Sequence, residues 1–128
     1  MNKEFVTYEQ ALALKELGFD VTPWFGNQAS LYDVKGEHTM YTNYGVMYSG
    51  LSDGYISAPL KQQVFRWFRE KYDSQCDIWQ YEDDLSFAFS IKIKFNRIDG
   101  YIDFKTYEEA ENACIDKLIE IAKQQDND

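Results

Sequence analysis

Histidine is almost missing from this sequence, occurring once at His38, and its 128 residues hold only two cysteines, two prolines and seven glycines. Each scarcity excludes something. Cys76 and Cys114 make no Cys-x-x-Cys pair and His38 no His-x-x-x-His pair, so the ligand sets of structural zinc are lacking and neither a metal nor a cofactor is expected. The low Gly and Pro content excludes a linker or a repetitive fibre. Basic residues are also outnumbered, 13 Lys and Arg against 22 Asp and Glu, for a net charge of −9. Sequence-independent binding to nucleic acid or anionic lipid needs clustered cations to replace counterions, so both partners are disfavoured. No apolar run is long enough to span a bilayer, Met1 to Thr7 lacks a leader-like stretch, and no Asn-x-Ser/Thr sequon occurs. The expectation is a cytoplasmic protein with two free thiols, a disulfide between them being left open by the sequence.

What remains is apolar and aromatic. Hydrophobic residues make up 45% of the chain and aromatic ones 17%, enough for a folded core in one domain over residues 1–123, ahead of a frayed polar tail at 124–128. Two helix starts are built alike: Phe5-Val6-Thr7-Tyr8-Glu9-Gln10-Ala11 and Phe104-Lys105-Thr106-Tyr107-Glu108-Glu109-Ala110 each offer Thr as N-cap with Gln or Glu three residues on. The first helix should run from Tyr8 to Leu17 and close at Gly18. Leu31–Val34 and Thr39–Tyr44 flank Lys35-Gly36-Glu37 as a hairpin, and Gly45 to Gly54 reads as either strand end or loop. A second helix follows Pro59, with Leu60, Val64, Trp67, Phe68 and Tyr72 along one face. Its other face carries Arg66 and Arg69. With Lys61 and Lys71 it has four basic side chains against Glu70 alone.

Asp77–Tyr81 and Leu85–Phe95 read as strands around the turn Glu82-Asp83-Asp84, with Phe87, Phe89, Ile91, Ile93 and Phe95 alternating onto one face. Asp99-Gly100 predicts a further two-residue hairpin, pairing Phe95 with Phe104. A third helix runs from Tyr107 to about Lys123. The expected fold class is therefore α+β, of order α-β-β-α-β-β-β-α, an antiparallel sheet with helices two and three on its apolar face.

Catalytic patterns do not emerge. There is no Gly-x-Ser-x-Gly elbow, and Gly50-Leu51-Ser52-Asp53-Gly54 lacks the residues of either phosphate-binding loop. His38 beside a hairpin turn reads as an exposed surface residue, and the acidic turn at 82–84 as a solvated one. Glu111 falls within the apolar arc of the third helix, where it either reaches water at the sheet rim or forms a structural ion pair with Arg97. Aromatic residues beyond the needs of the core, Trp24, Phe25, Tyr41, Tyr44, Tyr48, Trp79 and Tyr81, are candidate binding residues together with Arg66 and Arg69, since Tyr and Trp dominate binding hot spots; the same residues also serve as core fillers and cross-strand pairs.

Three strings, FVTYEQALALKELGF (Phe5–Phe19), APLKQQVFRWFREKY (Ala58–Tyr72) and FKTYEEAENACIDKLIEI (Phe104–Ile121), resemble a group of small uncharacterised proteins of bacterial phages and prophage-like elements. These strings build helices and contain no site motif. The resemblance implies a mobile-element setting in a bacterial host and carries over no catalytic residue. The expected function is a non-enzymatic accessory or binding protein, its partner a host or phage macromolecule, most simply a protein. The alternative is a small-ligand binder, a nucleotide among its candidates, with an aromatic-lined pocket between Phe19 and Ser57.

Overall fold

Thr7 accepts a hydrogen bond from the Gln10 amide at 3.1 Å while the Gln10 side chain accepts from the Thr7 amide at 2.9 Å, so a complete capping box opens helix α1, Tyr8–Glu16. Gly18, at φ 97, follows the C-cap Leu17 in the left-handed conformation that ends helices. The computed structural model describes residues 4–19, 21–42, 55–94 and 96–126. Within them the chain divides into two compact units, Met1–Leu60 and Lys61–Asp128.

In the first unit, α1 accompanies a small antiparallel sheet: β1 (Trp24–Phe25), β2 (Gln28–Tyr32), β3 (His38–Thr42) and β4 (Ile56–Ser57). β2 lies at its centre, with β3 on one side and β1 and β4 on the other. The predicted hairpin is present, its turn at Asp33–Glu37. The Asp33 carboxylate accepts from the Lys35 and Glu37 amides, and Gly36 takes φ 83. Gly36 also approaches the Tyr8 ring so closely that a Cβ would lie 2.9 Å from it. The Tyr32 hydroxyl donates to the Val6 carbonyl, both residues being fully buried, and burial pushes its pKa up to about 12, so it stays a donor well into alkaline solution. Tyr32→Phe removes that donor and leaves the carbonyl unmatched. An expected loss of about 1–3 kcal/mol follows, read as a lower denaturant midpoint, and an unchanged midpoint would refute it.

The second unit holds α2 (Lys61–Tyr72), the antiparallel meander β5 (Ser74–Gln80), β6 (Phe87–Ile93), β7 (Asn96–Phe104), and α3 (Tyr107–Asp126). The α+β class and the expected order are present, with β1 and β4 as additional short strands and the strands shared between two sheets. Helix α3 packs on β5, β6 and β7, and α2 packs on β5 and α3. Phe68, Phe89, Ile91, Ile115 and Leu118 are fully buried in this layer.

Three expectations are corrected in the second unit. Asp99-Gly100 is not a hairpin: β7 runs straight through it, and the chain reverses between Ile93 and Asn96, with Lys94 at φ 55. The pairings Ile91↔Ile98, Phe89↔Tyr101 and Phe87↔Phe104 leave two β7 residues opposite each of Ser90 and Ala88. Asp99-Gly100 therefore forms one β-bulge and Ile102-Asp103, with Asp103 at φ 73, a second. The polar tail does not begin at residue 124, because α3 continues to Asp126, whose carboxylate accepts from the Tyr72 hydroxyl at 3.1 Å. The two cysteines are not free thiols: Cys76 on β5 is bonded to Cys114 on α3.

Candidate functional site

Strand alternation sorts the second sheet into an inner face and an open one. Ser74, Cys76, Ile78, Phe87, Phe89 and Ile91 alternate toward α3, and Gln75, Asp77, Trp79, Ala88, Ser90 and Lys92 alternate away from it. On the open face Trp79 pairs with Ala88, whose place in β6 is flanked across β7 by the bulged pair Ile102 and Asp103. Ala88 and Ser90 in the central strand are themselves buried, so the solvent-facing surface is made by their larger neighbours. Tyr81 continues the row, its ring edge-on to Trp79 at 6.2 Å. Tyr81 and Ile102 are 41% and 55% exposed, and Leu85 in the adjoining turn is 64% exposed, so this end of the sheet presents apolar surface to solvent.

Charge brackets this apolar centre. At one end Lys92 lies opposite Gln75 and Arg97, and Lys94 follows in the turn. Arg97 donates to the Ser90 hydroxyl at 3.2 Å, and no carboxylate pairs with Lys92, Lys94 or Arg97 among the described residues. At the other end stand Glu82, Asp83 and Asp84, all exposed. Asp84 accepts from the Ser86 amide and hydroxyl at 3.0 and 2.8 Å, which holds its carboxyl below its ordinary pKa and keeps this end anionic.

The predicted binding residues do not form one site. Trp79 and Tyr81 meet on this open face. Trp24 and Phe25 lie on β1 in the first unit, where Phe25 stands edge-on to Phe5 at 6.1 Å and Trp24 is 46% exposed. Tyr41 packs against Tyr55 at 4.8 Å, and their shared hydrogen bond raises its pKa to about 12. Tyr44 and Tyr48, like the segment Gly45 to Gly54, lie outside the described residues. The basic stripe of α2 is also dispersed. Arg66 pairs with Glu70 at 3.1 Å, Lys71 lies 4.9 Å over the Trp67 ring, and Lys61 is buried, which leaves Arg69. Leu85 and Ile102 were not singled out from the sequence, because the bulge that sets the facing of Ile102 replaced an expected hairpin.

Glu111 does not pair with Arg97. Its carboxylate lies 3.6 Å from the Lys61 ammonium, and both residues are buried. Burial pushes the Glu111 carboxyl above its ordinary pKa, while the attraction of Lys61 opposes the shift. His38 is likewise not a free surface residue. Its ring lies 4.5 Å from that of Phe5 and 5.7 Å from that of Tyr32, and burial lowers its pKa, so the imidazole is neutral at pH 7.

Ser30 and His38 lie 2.6 Å apart in the arrangement of a nucleophile and its base. The proton assignment opposes that chemistry. The one hydroxyl proton of Ser30 goes to the Ala58 carbonyl at 2.8 Å, so the hydroxyl accepts from His38, and Nε2 carries the hydrogen. An imidazole donating to Ser30 cannot take its proton, and Ser30 is fully buried.

The first unit also contains a cavity of ≈ 230 Å³ between α1 and β4, lined by Ala11, Lys15, Phe19, Tyr55, Ile56 and Ser57 among others. Lys15 has no ion-pair partner among the described residues. No group of three His, Cys, Asp or Glu side chains is placed to hold a metal among the described residues, and none of their helices is long and apolar enough to cross a membrane. Compared with known proteins, the chain matches no family model, no curated protein and no solved structure.

Proposed function

We propose that the protein is a non-enzymatic binding module of a phage-related setting, which contacts a host or phage macromolecule through the open face of the β5–β6–β7 sheet. The observation that carries this reading is half-buried Trp79 beside exposed Tyr81 and Ile102, with exposed Leu85 in the adjoining turn, between unpaired charges of opposite sign. Such an aromatic centre with a charged rim is the anatomy of a protein-binding patch. The net charge of −9 favours a protein over a nucleic acid as the partner. In the reducing cytoplasm of a bacterial host the Cys76–Cys114 bond opens. The proposal holds there too, because the face is built by backbone pairing of its three strands.

Affinity capture with the tagged protein tests the reading. Trp79→Ala with Tyr81→Ala is expected to weaken retention of the partner by at least about 30-fold, the scale of a buried aromatic hot spot. Trp24→Ala, on the other unit, leaves retention unchanged. Equal retention by the wild type and the Trp79/Tyr81 variant would refute the assignment of the face.

The cavity beside α1 supports a second reading, a small-ligand binder. Its apolar walls of Phe19, Ile56 and Ala11 with the Lys15 ammonium at hand suit a small anion with an apolar body. Native mass spectrometry of protein purified from its source should show an added mass that Lys15→Ala loses, and a bare chain mass in both would reject this reading.

A further inference from the structure

We infer that the occupant of the open face is a second copy of this chain, docked about a two-fold axis that runs between the two copies, parallel to the face and across its strands. The inference rests on reading this face as the binding surface and names what covers it. Three observations converge on it.

The first is the polarity of the face. Lys92, Lys94 and Arg97 stand at one end, Glu82, Asp83 and Asp84 at the other, and none of the six is paired with an opposite charge among the described residues. A two-fold axis parallel to the strands would bring like ends together and is repelled. An axis across the strands sets each basic end on the acidic end of the second copy, and a two-fold contact satisfies both ends at once.

The second is the position of the apolar row. Trp79 is four residues from Gln75, which sits in the row of Lys92 and Arg97, and four residues from Asp83 in the acidic turn. The axis that matches the charges therefore runs above the row of Trp79, Ala88 and Ile102. It places this apolar row on its own copy, where Trp79, Tyr81 and Ile102 are withdrawn from water. Of the described carboxylates near the row, Asp77 lies on its basic side, next to Lys92 and Arg97, and exposed Asp103 shares the bulge with Ile102 at the edge strand.

The third is the extent of the face. Three strands over about 25 Å of length offer roughly 500 Å² on each copy, near 1,000 Å² in all, at the low end of specific interfaces. A contact of that size gives a concentration-dependent dimer that exchanges with monomer, and its charged rim makes it weaken as salt is added.

Sedimentation velocity of the full chain over a wide concentration series tests this. The wild type should shift from monomer to dimer as concentration rises, with the midpoint moving at least about tenfold upward between low and high salt. Lys92→Glu with Lys94→Glu makes both ends acidic, and Glu82→Lys with Asp83→Lys makes both basic. Each variant alone should dimerise at least about tenfold more weakly at low salt, and an equimolar mixture of the two should regain the dimer, because the charges then complement across the interface. Far-UV circular dichroism confirms that both variants fold. A wild type that stays monomeric throughout overturns the inference and leaves the binding-face reading to the capture experiment. A wild-type dimer unaffected by Trp79→Ala and by both charge variants overturns the inference and the binding face together. A mixture no more dimeric than its parts overturns the two-fold arrangement.

Discussion

Lys61→Met should lower the unfolding free energy by about 3–5 kcal/mol at neutral pH, because it leaves the Glu111 carboxylate in the interior of the second unit without a counter-charge. At 3.6 Å the two groups make a charge contact longer than a short hydrogen bond, so their attraction only partly offsets the cost of removing both from water. The direction of the Glu111 shift says the same. With its folded-state pKa raised by burial, the carboxyl binds its proton more tightly in the folded chain than in the unfolded one. The wild type is therefore favoured below the ordinary carboxylate pKa, and that contribution is lost as pH rises through the raised value. Urea midpoints across that acidic window should fall with rising pH in the wild type, and Glu111→Gln should flatten this component. Replacing both partners, Lys61→Met with Glu111→Leu, should recover most of the loss or exceed the wild type, since an apolar pair of similar volume has no desolvation cost. A double variant as unstable as Lys61→Met alone would show that the pair contributes more than charge cancellation.

Reduction of the Cys76–Cys114 bond is expected to lower stability by about 4 kcal/mol at 25 °C, the chain-entropy value for a cross-link spanning 38 residues. The span covers most of β5, all of β6 and β7 and the first turns of α3, so the bond restricts the segment that supplies the whole second sheet. The denaturant midpoint should drop on adding dithiothreitol. The Cys76→Ala/Cys114→Ala variant should sit at the reduced value and no longer respond to the reagent. A wild-type midpoint indifferent to dithiothreitol would refute the contribution.

How much of this was legible beforehand depended on how local the signal was. The first capping box was visible because Thr7 and Gln10 satisfy each other's backbone within one turn. Its counterpart differs in detail: Thr106 accepts from the Glu109 amide as read, while the Glu109 carboxylate accepts from Lys105 instead of the cap residue. The turn at Asp33–Glu37 and the alternation through Phe87–Ile93 were equally local. Asp99-Gly100 misled because the dipeptide that suits a tight hairpin also suits a bulge, and only pairing with β6 selects between them. The candidate site was legible in part: Trp79 in β5 and Tyr81 just past its end lie two residues apart, a spacing that keeps them on one face while the chain stays extended. Leu85 and Ile102 joined them through a turn and a bulge that no local pattern encodes.

The sequence by itself determined the α+β class, the ends of α1, the hairpin of β2 and β3, and the apolar stripe of the long strand. Each depends on residues within a turn or a strand of one another, where covalent spacing sets who meets whom. Only the tertiary structure decided that Glu111 answers Lys61 and not Arg97, that Cys76 finds Cys114, that the α2 cations are dispersed among separate partners, and that charge divides the open face into two ends. Those pairings join residues far apart in the chain, and strand register and helix packing, which are set by burial of the whole apolar surface, bring them together.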